Sequence, residues 1–384
     1  MSKIDQPRDA ADLVALVKEA KPLAVSGTGT REGLGHQVTG RPVSLAGFAG
    51  IADYQPEELV MTAGPGTTIR ALRAALDQAG QHLAFEIPDH GPLYGKPAGE
   101  GTLGGLLMTA TAGSRRISAG SVRDHFLGFT GVNGKGEIFK AGGKVVKNVT
   151  GYDLPKLLAG SFGTLALLTE ATIKTLPRPE TATTLLIDPI DESVAFSAMS
   201  LALGSAHEVS GAAYLPQDLF GLGGPKVAVR LEGFEASVKA RASVLAEELK
   251  AFGSMDPMSG GDLWQHISDA APLVGKPDLI LWRLSVAPME GAEVLKAVGA
   301  HEVAWFDWGG GLIWLGLAPG EADGGAARVR AAVAGKGHAT LVRAPDAIRA
   351  SVPVFQPQGA LAPLAARVKA SFDPLGIFNP GRMG

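Results

Sequence analysis

The sequence predicts an α+β protein in two parts: a first region of short strands and helices, then an antiparallel sheet with helices on one face. Three observations predict it. Before Pro177 the apolar segments mix strands and helices without the regular alternation of a doubly wound sheet. After Pro177-Arg178-Pro179 the pattern becomes two cycles of βαββα type. Glycine makes up 52 of 384 residues, nearly twice the usual ~7%. The informative glycines cluster in the first 165 residues, where tight turns or close backbone approach need them. At ~150 residues per domain the length fits two domains.

The elements follow in order. Residues 9–20 read as a helix that Asp9 can cap, with Leu13, Val14 and Val17 at helical spacing. Leu23 to Val25 is a short strand, and 58–62 is another. A helix runs from about Thr67, with Ile69, Leu72 and Leu76 inward and Gly80 at its end. Thr102-Leu103-Gly104-Gly105 opens a helix of small residues ending near Gly113. Residues 125–140 read as a hairpin turning at Asn133 to Gly136, and 165–176 as a strand. In the second region the strands are 181–187, 208–214, 226–232, 279–286, 302–307, 311–317 and 338–343. The helices are 191–203, 234–252, 288–299 and 322–334. Leu361 to Phe372 is helical, and a tight apolar turn follows it.

Composition excludes several chemistries. Zero cysteines remove disulfides, zinc–thiolate sites, thiol nucleophiles and any iron–sulfur cluster ligated by this chain. A net charge of −3 gives no basic patch for nucleic acid. Met1 to Ala10 carries no signal-peptide core, and no run approaches 18 apolar residues, so a cytoplasmic protein is expected. The eight histidines show no close metal-ligand spacing, so no metal site is expected. Trp305, Trp308 and Trp314 fall on predicted strands, where sheet packing accounts for them.

Two glycine motifs suggest chemistry. Ser26-Gly27-Thr28-Gly29-Thr30 follows a strand, and its backbone N–H groups and hydroxyls suit a phosphate or pyrophosphate. It is not a Rossmann fingerprint, since Glu32 stands where a third glycine is wanted, and no Gly-Lys-Ser/Thr of a Walker loop occurs. The second motif, Thr102 with Gly104 and Gly105, opens a helix whose free N–H groups could meet an anion. The plainer readings are a strand-end turn for the first and close helix packing for the second. The polar sets Arg115, Arg116, Arg123, Asp124 and Lys144, Lys147, Asn148, Tyr152, Asp153, Lys156 read equally as solvated faces.

Together with Ala63 to Thr67 and Arg123 to Gly128, these motifs resemble FAD-binding proteins of the vanillyl-alcohol oxidase (VAO/PCMH) type, most closely the E-subunit family of bacterial glycolate oxidase. Gly142 to Asp153, Gly160 to Leu165, Gly337 to Pro345 and the Phe372 to Met383 tail extend the resemblance over nearly the whole chain. It implies a two-part FAD domain over 1–177, a cap domain over 178–350, and a 351–384 segment returning to the FAD domain. It implies FAD with its pyrophosphate on Ser26, Gly27, Thr28, Gly29 and Thr30, and with Thr102, Gly104 and Gly105 as a second wall. Gly120, Ser121, Gly163 and Leu165 would line the adenine and ribose side, and Asn379 would approach the flavin ring. The FAD is expected to be non-covalent, since no cysteine exists and the 26–30 loop lacks a histidine.

The sequence departs from that family's pattern at Ala110 to Ser114 and at Thr150, without losing a glycine. Related catalytic subunits carry a histidine-rich metal motif. Here the second region has only isolated His207, His266, His301 and His338, and no catalytic base is identified. The resemblance therefore implies an accessory flavoprotein subunit that accepts or relays electrons from glycolate oxidation. Its partners would be a second, catalytic FAD-binding subunit and an iron–sulfur subunit, with peripheral attachment to the inner membrane through the complex. The alternatives are a self-sufficient 2-hydroxy-acid dehydrogenase, or a scaffold that has lost flavin.

Overall fold

In a computed structural model the chain is described over residues 4–144, 151–357 and 359–384. Val145 to Thr150, in the middle of the 142–153 motif, lie outside the described residues, as do Met1 to Lys3 and Gln358. The chain divides into two compact units. The first holds residues 1–111, 121–178 and 357–384; the second holds 112–120 and 179–356. The short 112–120 excursion into the second unit has no counterpart in the sequence reading.

In the first unit the strands are β1 (Leu23–Ser26), β2 (Arg41–Ser44), β3 (Ile51–Gln55), β4 (Val60–Ala63), β5 (Gln81–His82), β6 (Phe126–Asn133), β7 (Ile138–Gly142), β8 (Ala166–Lys174) and β9 (Leu176–Pro177). β1 and β2 pair in parallel; β3–β4–β8–β6–β7 form an antiparallel sheet; β5 pairs with β9. The middle of the sheet is covered on both sides, and Ala166, Leu167 and Leu168 at the start of β8 are buried in succession. On one side Leu72, Leu76, Leu106 and Leu107 pack on Phe129, Leu168 and Ile173. On the other, Leu13 and Val17 from the helix Ala10–Lys18 pack with Val132, Leu167, Ile377 and Phe378. The hairpin turns where expected: Asn133 Oδ1 accepts the N–H groups of Lys135 and Glu137. The small-residue helix is shorter than expected, Leu103–Thr109, because Ala110 turns left-handed at φ +48°. β2 and β3 are additions; four residues of Arg-Pro-Val-Ser carry too little pattern to read as a strand.

The second unit is one eight-stranded antiparallel sheet. Its strands are β10 (Thr181–Pro189), β11 (Val209–Leu215), β12 (Lys226–Gly233), β13 (Gly253–Ser259), β14 (Ile280–Val286), β15 (Val303–Asp307), β16 (Leu312–Leu317) and β17 (Gly337–Arg343). The order is β13-β10-β12-β11-β15-β16-β14-β17. Two βαββαβ modules of the ferredoxin-like type thus join edge to edge, with Tyr214 opposite Phe306 at the seam. The expected βαββα cycle is corrected in the first module by its fourth strand, β13. That strand reads Gly-Ser-Met-Asp-Pro-Met-Ser and lies at the sheet edge. An edge strand needs no apolar alternation and tolerates proline, so its sequence signal is weak.

Helices Glu192–Gly204, Glu235–Leu249, Gly291–Val298 and Ala326–Val333 share one sheet face and a single core, which includes Phe196, Leu245, Trp282, Phe306 and Val329. The opposite face is polar and aromatic. Trp308 is not on a strand: it opens a tight turn with φ +55°. Arg115 is not a solvated residue: it pairs with Glu232, whose side chain is 9% exposed.

Candidate functional site

The candidate site lies wholly in the first unit, where β1 ends. Its cleft is lined by Val25 to Glu32, Thr102, Gly105, Met108, Thr109, Phe162, Asn379 and Arg382. Leu45 N–H and Ser44 Oγ hold the turn by donating to the carbonyls of Ser26 and Gly27. Thr28 Oγ1 donates to Glu100 O. Thr30 is 6% exposed. The N–H groups of Gly27, Thr28, Gly29 and Thr30 donate to no other described residue. Four successive unspent donors beside a cleft form an anion-binding concavity.

Two glycines make that turn sterically possible. A Cβ on Gly27 would stand 2.6 Å from Thr102 Oγ1. Gly29 has φ +80°, a conformation that side chains resist.

The second wall differs from expectation. Thr102 caps the helix Leu103–Thr109, its Oγ1 accepting Gly105 N–H at 3.2 Å. Leu103 N–H goes to Thr67 O and Gly104 N–H to Pro65 O. The helix N-terminus therefore has no free donors at these positions, and the expectation of free N–H groups there is corrected. Thr102 and Gly105 face the cleft. Gly104 instead packs on the 64–66 turn, where a Cβ would meet Pro65 Cβ at 2.9 Å.

Asn379 joins three segments. Its Oδ1 accepts Val25 N–H at 2.7 Å, its Nδ2 donates to Phe162 O at 2.9 Å, and its backbone N–H donates to Leu23 O. Gly163, at φ +66°, leaves room for that amide: a Cβ would lie 3.0 Å from Asn379 Nδ2. Leu165 is 7% exposed and precedes β8, outside the cleft lining. Ser121 spends its N–H and hydroxyl on Asp124 Oδ2, closing a capping box. Gly120 belongs to the second unit, where it ends the helix Arg116–Ala119 at φ +78°.

The sequence reading missed Arg31 and Arg382. Arg31 is 8% exposed and donates to Thr109 Oγ1, Thr111 Oγ1 and Pro88 O. Arg382 donates to the carbonyls of Arg31 and His36. Both guanidiniums line the cleft and bring positive charge to it. Arg31 follows the glycine motif directly, which is the one signal that could have marked it. Unspent N–H donors, a backbone cradle that a Cβ would fill, and two arginines fit the pyrophosphate of a dinucleotide.

Comparison with known proteins agrees with this geometry. Residues 2–142 match a family described as an FAD binding domain. The chain is 35% identical over 375 residues to glycolate oxidase subunit GlcE of Escherichia coli (strain K12), covering 96% of this chain and 94% of that protein. It is 34% identical over 183 residues to a D-lactate dehydrogenase of Anaerostipes hadrus, covering 47% of this chain and 36% of that one. Among solved structures it resembles p-cresol methylhydroxylase (TM-score 0.71, 14% identity, 99% of this chain and 88% of that one). It also resembles alkyldihydroxyacetonephosphate synthase (TM-score 0.71, 15% identity, 98% and 75%). The structural likenesses carry the fold, which is the VAO/PCMH-type α+β architecture. The end-to-end identity carries more: this chain belongs to the family of the glycolate oxidase subunit GlcE, FAD-dependent oxidoreductases.

Proposed function

We propose that the chain is the FAD-holding, electron-relaying subunit of a glycolate oxidase. The observation that carries this reading is the row of four unspent N–H groups at Gly27 to Thr30, over a cleft that Thr102, Gly105, Arg31 and Arg382 complete. Those donors bind the pyrophosphate, and the arginines balance its charge. Asn379 keeps β1 and the 160–164 turn in place around the cofactor. Bound FAD supplies the two-electron chemistry of hydroxy-acid oxidation.

Binding is non-covalent in this reading: the chain has no cysteine, and among the described residues no histidine lines the cleft. Without thiolates the chain cannot ligate a cluster, so electrons pass through partners, a second FAD-binding catalytic subunit and an iron–sulfur subunit. Among the described residues no helix is long and apolar enough to cross a membrane. In this reading the chain attaches to the inner membrane peripherally, through the complex.

The test is anaerobic mixing of the purified, flavin-loaded chain with glycolate. The flavin band stays unbleached until the partner subunits are added. Rapid bleaching of the chain alone would make it a self-sufficient dehydrogenase. Acid precipitation leaves the flavin in the supernatant; flavin in the pellet would contradict non-covalent binding.

A further inference from the structure

The sheet face opposite the helices Glu192–Gly204, Glu235–Leu249, Gly291–Val298 and Ala326–Val333 carries two arginines with unspent donors. Along β14, Trp282 and Leu284 enter the core beneath the helices, so alternation turns Arg283 to the other face. Its guanidinium lies 4.8 Å from the ring centre of Trp308. Arg116, from the 112–120 segment, stacks on the same indole, also at 4.8 Å. Trp308 is firmly held: its N–H donates to Asp307 Oδ1 and its indole N–H to Gly113 O.

Cation–π contact positions a guanidinium but uses none of its five N–H donors. Neither the Arg283 nor the Arg116 guanidinium donates a hydrogen bond to any described residue. The acid within electrostatic reach of Arg283 is Asp307, whose carboxylate already accepts from Ser114 Oγ and Trp308 N–H. Burial and the Arg116 charge outweigh Asp307, and Arg283 is pushed down to about 10. His338, opposite Ser285 on β17, is held below the ordinary histidine value by burial and then by both arginines. In the same cross-strand row as Arg283 stand Trp314 and then Trp305. The Trp305 indole N–H is fully buried with no hydrogen-bond partner.

We propose that this face binds a small oxyanion, a carboxylate or a phosphate, with Arg283 and Arg116, both stacked on Trp308, as its charged donors. Two like charges held together with open donors are costly without a counter-ion and favourable with one. The inference concerns the second unit alone and does not depend on the flavin assignment.

The experiment is calorimetric titration of the flavin-loaded full chain with glycolate, with inorganic phosphate, and with neutral ethylene glycol. Flavin absorbance is recorded separately, so loss of flavin and loss of the anion are distinguishable. At least one oxyanion binds at one per chain and ethylene glycol does not; which one binds identifies the ligand as carboxylate or phosphate. Arg283→Met and Arg116→Gln each weaken binding by about tenfold or more. Arg367→Ala, on the exposed helix Ala362–Phe372, removes the same charge elsewhere and leaves affinity unchanged. Should Arg283→Met lose its near-ultraviolet dichroism, exposed Arg116→Gln decides alone. Absence of oxyanion binding up to about 50 mM, or binding that survives Arg116→Gln, overturns the proposal.

Discussion

The two units of this chain use opposite means to build a polar surface. The first leaves backbone donors open: the N–H groups of Gly27 to Thr30, residues that line a cleft, have no partner among the described residues, and glycine at 27 and 29 permits the turn. The second pairs its strand backbone in an eight-stranded ladder and places its polarity in side chains on one face, Arg115, Arg230, Glu232, Arg283 and Asp307 among them. A backbone cradle recognises a group of fixed shape and is destroyed by any side chain that fills it. A side-chain face varies residue by residue without disturbing the ladder. The difference teaches where substitutions should act: through space in the first unit, through charge in the second.

Glu232 gives the largest expected effect on stability. Burial alone would raise its carboxyl, but Arg230 and Arg115 more than reverse this and hold it below its ordinary 4.5. Glu232→Gln leaves two arginines facing each other and costs about 3 kcal/mol, read from urea unfolding. A depressed carboxylate stabilises above its unfolded value and loses that contribution as pH falls through the folded one. Stability of the unchanged chain therefore drops below about pH 4.5, and the Gln variant drops less steeply across that range. Equal slopes for the two chains would show that charge does not rule the second unit as described.

Asn379 comes next, in the first unit. Asn379→Ala strands Val25 N–H and Phe162 O, costing about 2 kcal/mol. Asn379→Asp keeps the acceptor for Val25 but sets a buried carboxylate oxygen against Phe162 O, so at neutral pH it costs more than Ala. Should Asp prove milder than Ala, the two-sided role of that amide is wrong. The smallest effect belongs to Arg70 and Glu100, an exposed pair at 2.8 Å. Arg70→Ala changes stability by under about 0.5 kcal/mol, and a larger shift in a thermal melt would mean that surface charge matters in the first unit too.

Legibility in the sequence followed the same division. The Ser26 to Thr30 turn was readable because glycines and hydroxyls crowd after a strand, and the structure puts unspent donors there. Gly104 and Gly105 look alike in sequence, yet one packs on Pro65 and the other faces the cleft, because a helix turns about 100° per residue and only the partner surface decides. Ser121 reads as a ligand but spends its donors on Asp124, a local capping bond equally visible in Ser-x-x-Asp. β13 was hidden by its edge position. Arg283 was hidden because the parity that turns it from the core is set by the long-range pairing of β14 with β16 and β17.

The central claim, that the Gly27 to Thr30 backbone holds FAD, is tested most directly by flavin content per chain in two alanine variants. A Cβ at Gly204, in the second unit, meets nothing within 4 Å, whereas one at Gly27 stands 2.6 Å from Thr102 Oγ1. Gly204→Ala should purify with the flavin stoichiometry of the unchanged chain. Gly27→Ala, with unchanged far-ultraviolet dichroism, should lose most of its flavin. Full flavin occupancy in folded Gly27→Ala would contradict the assignment.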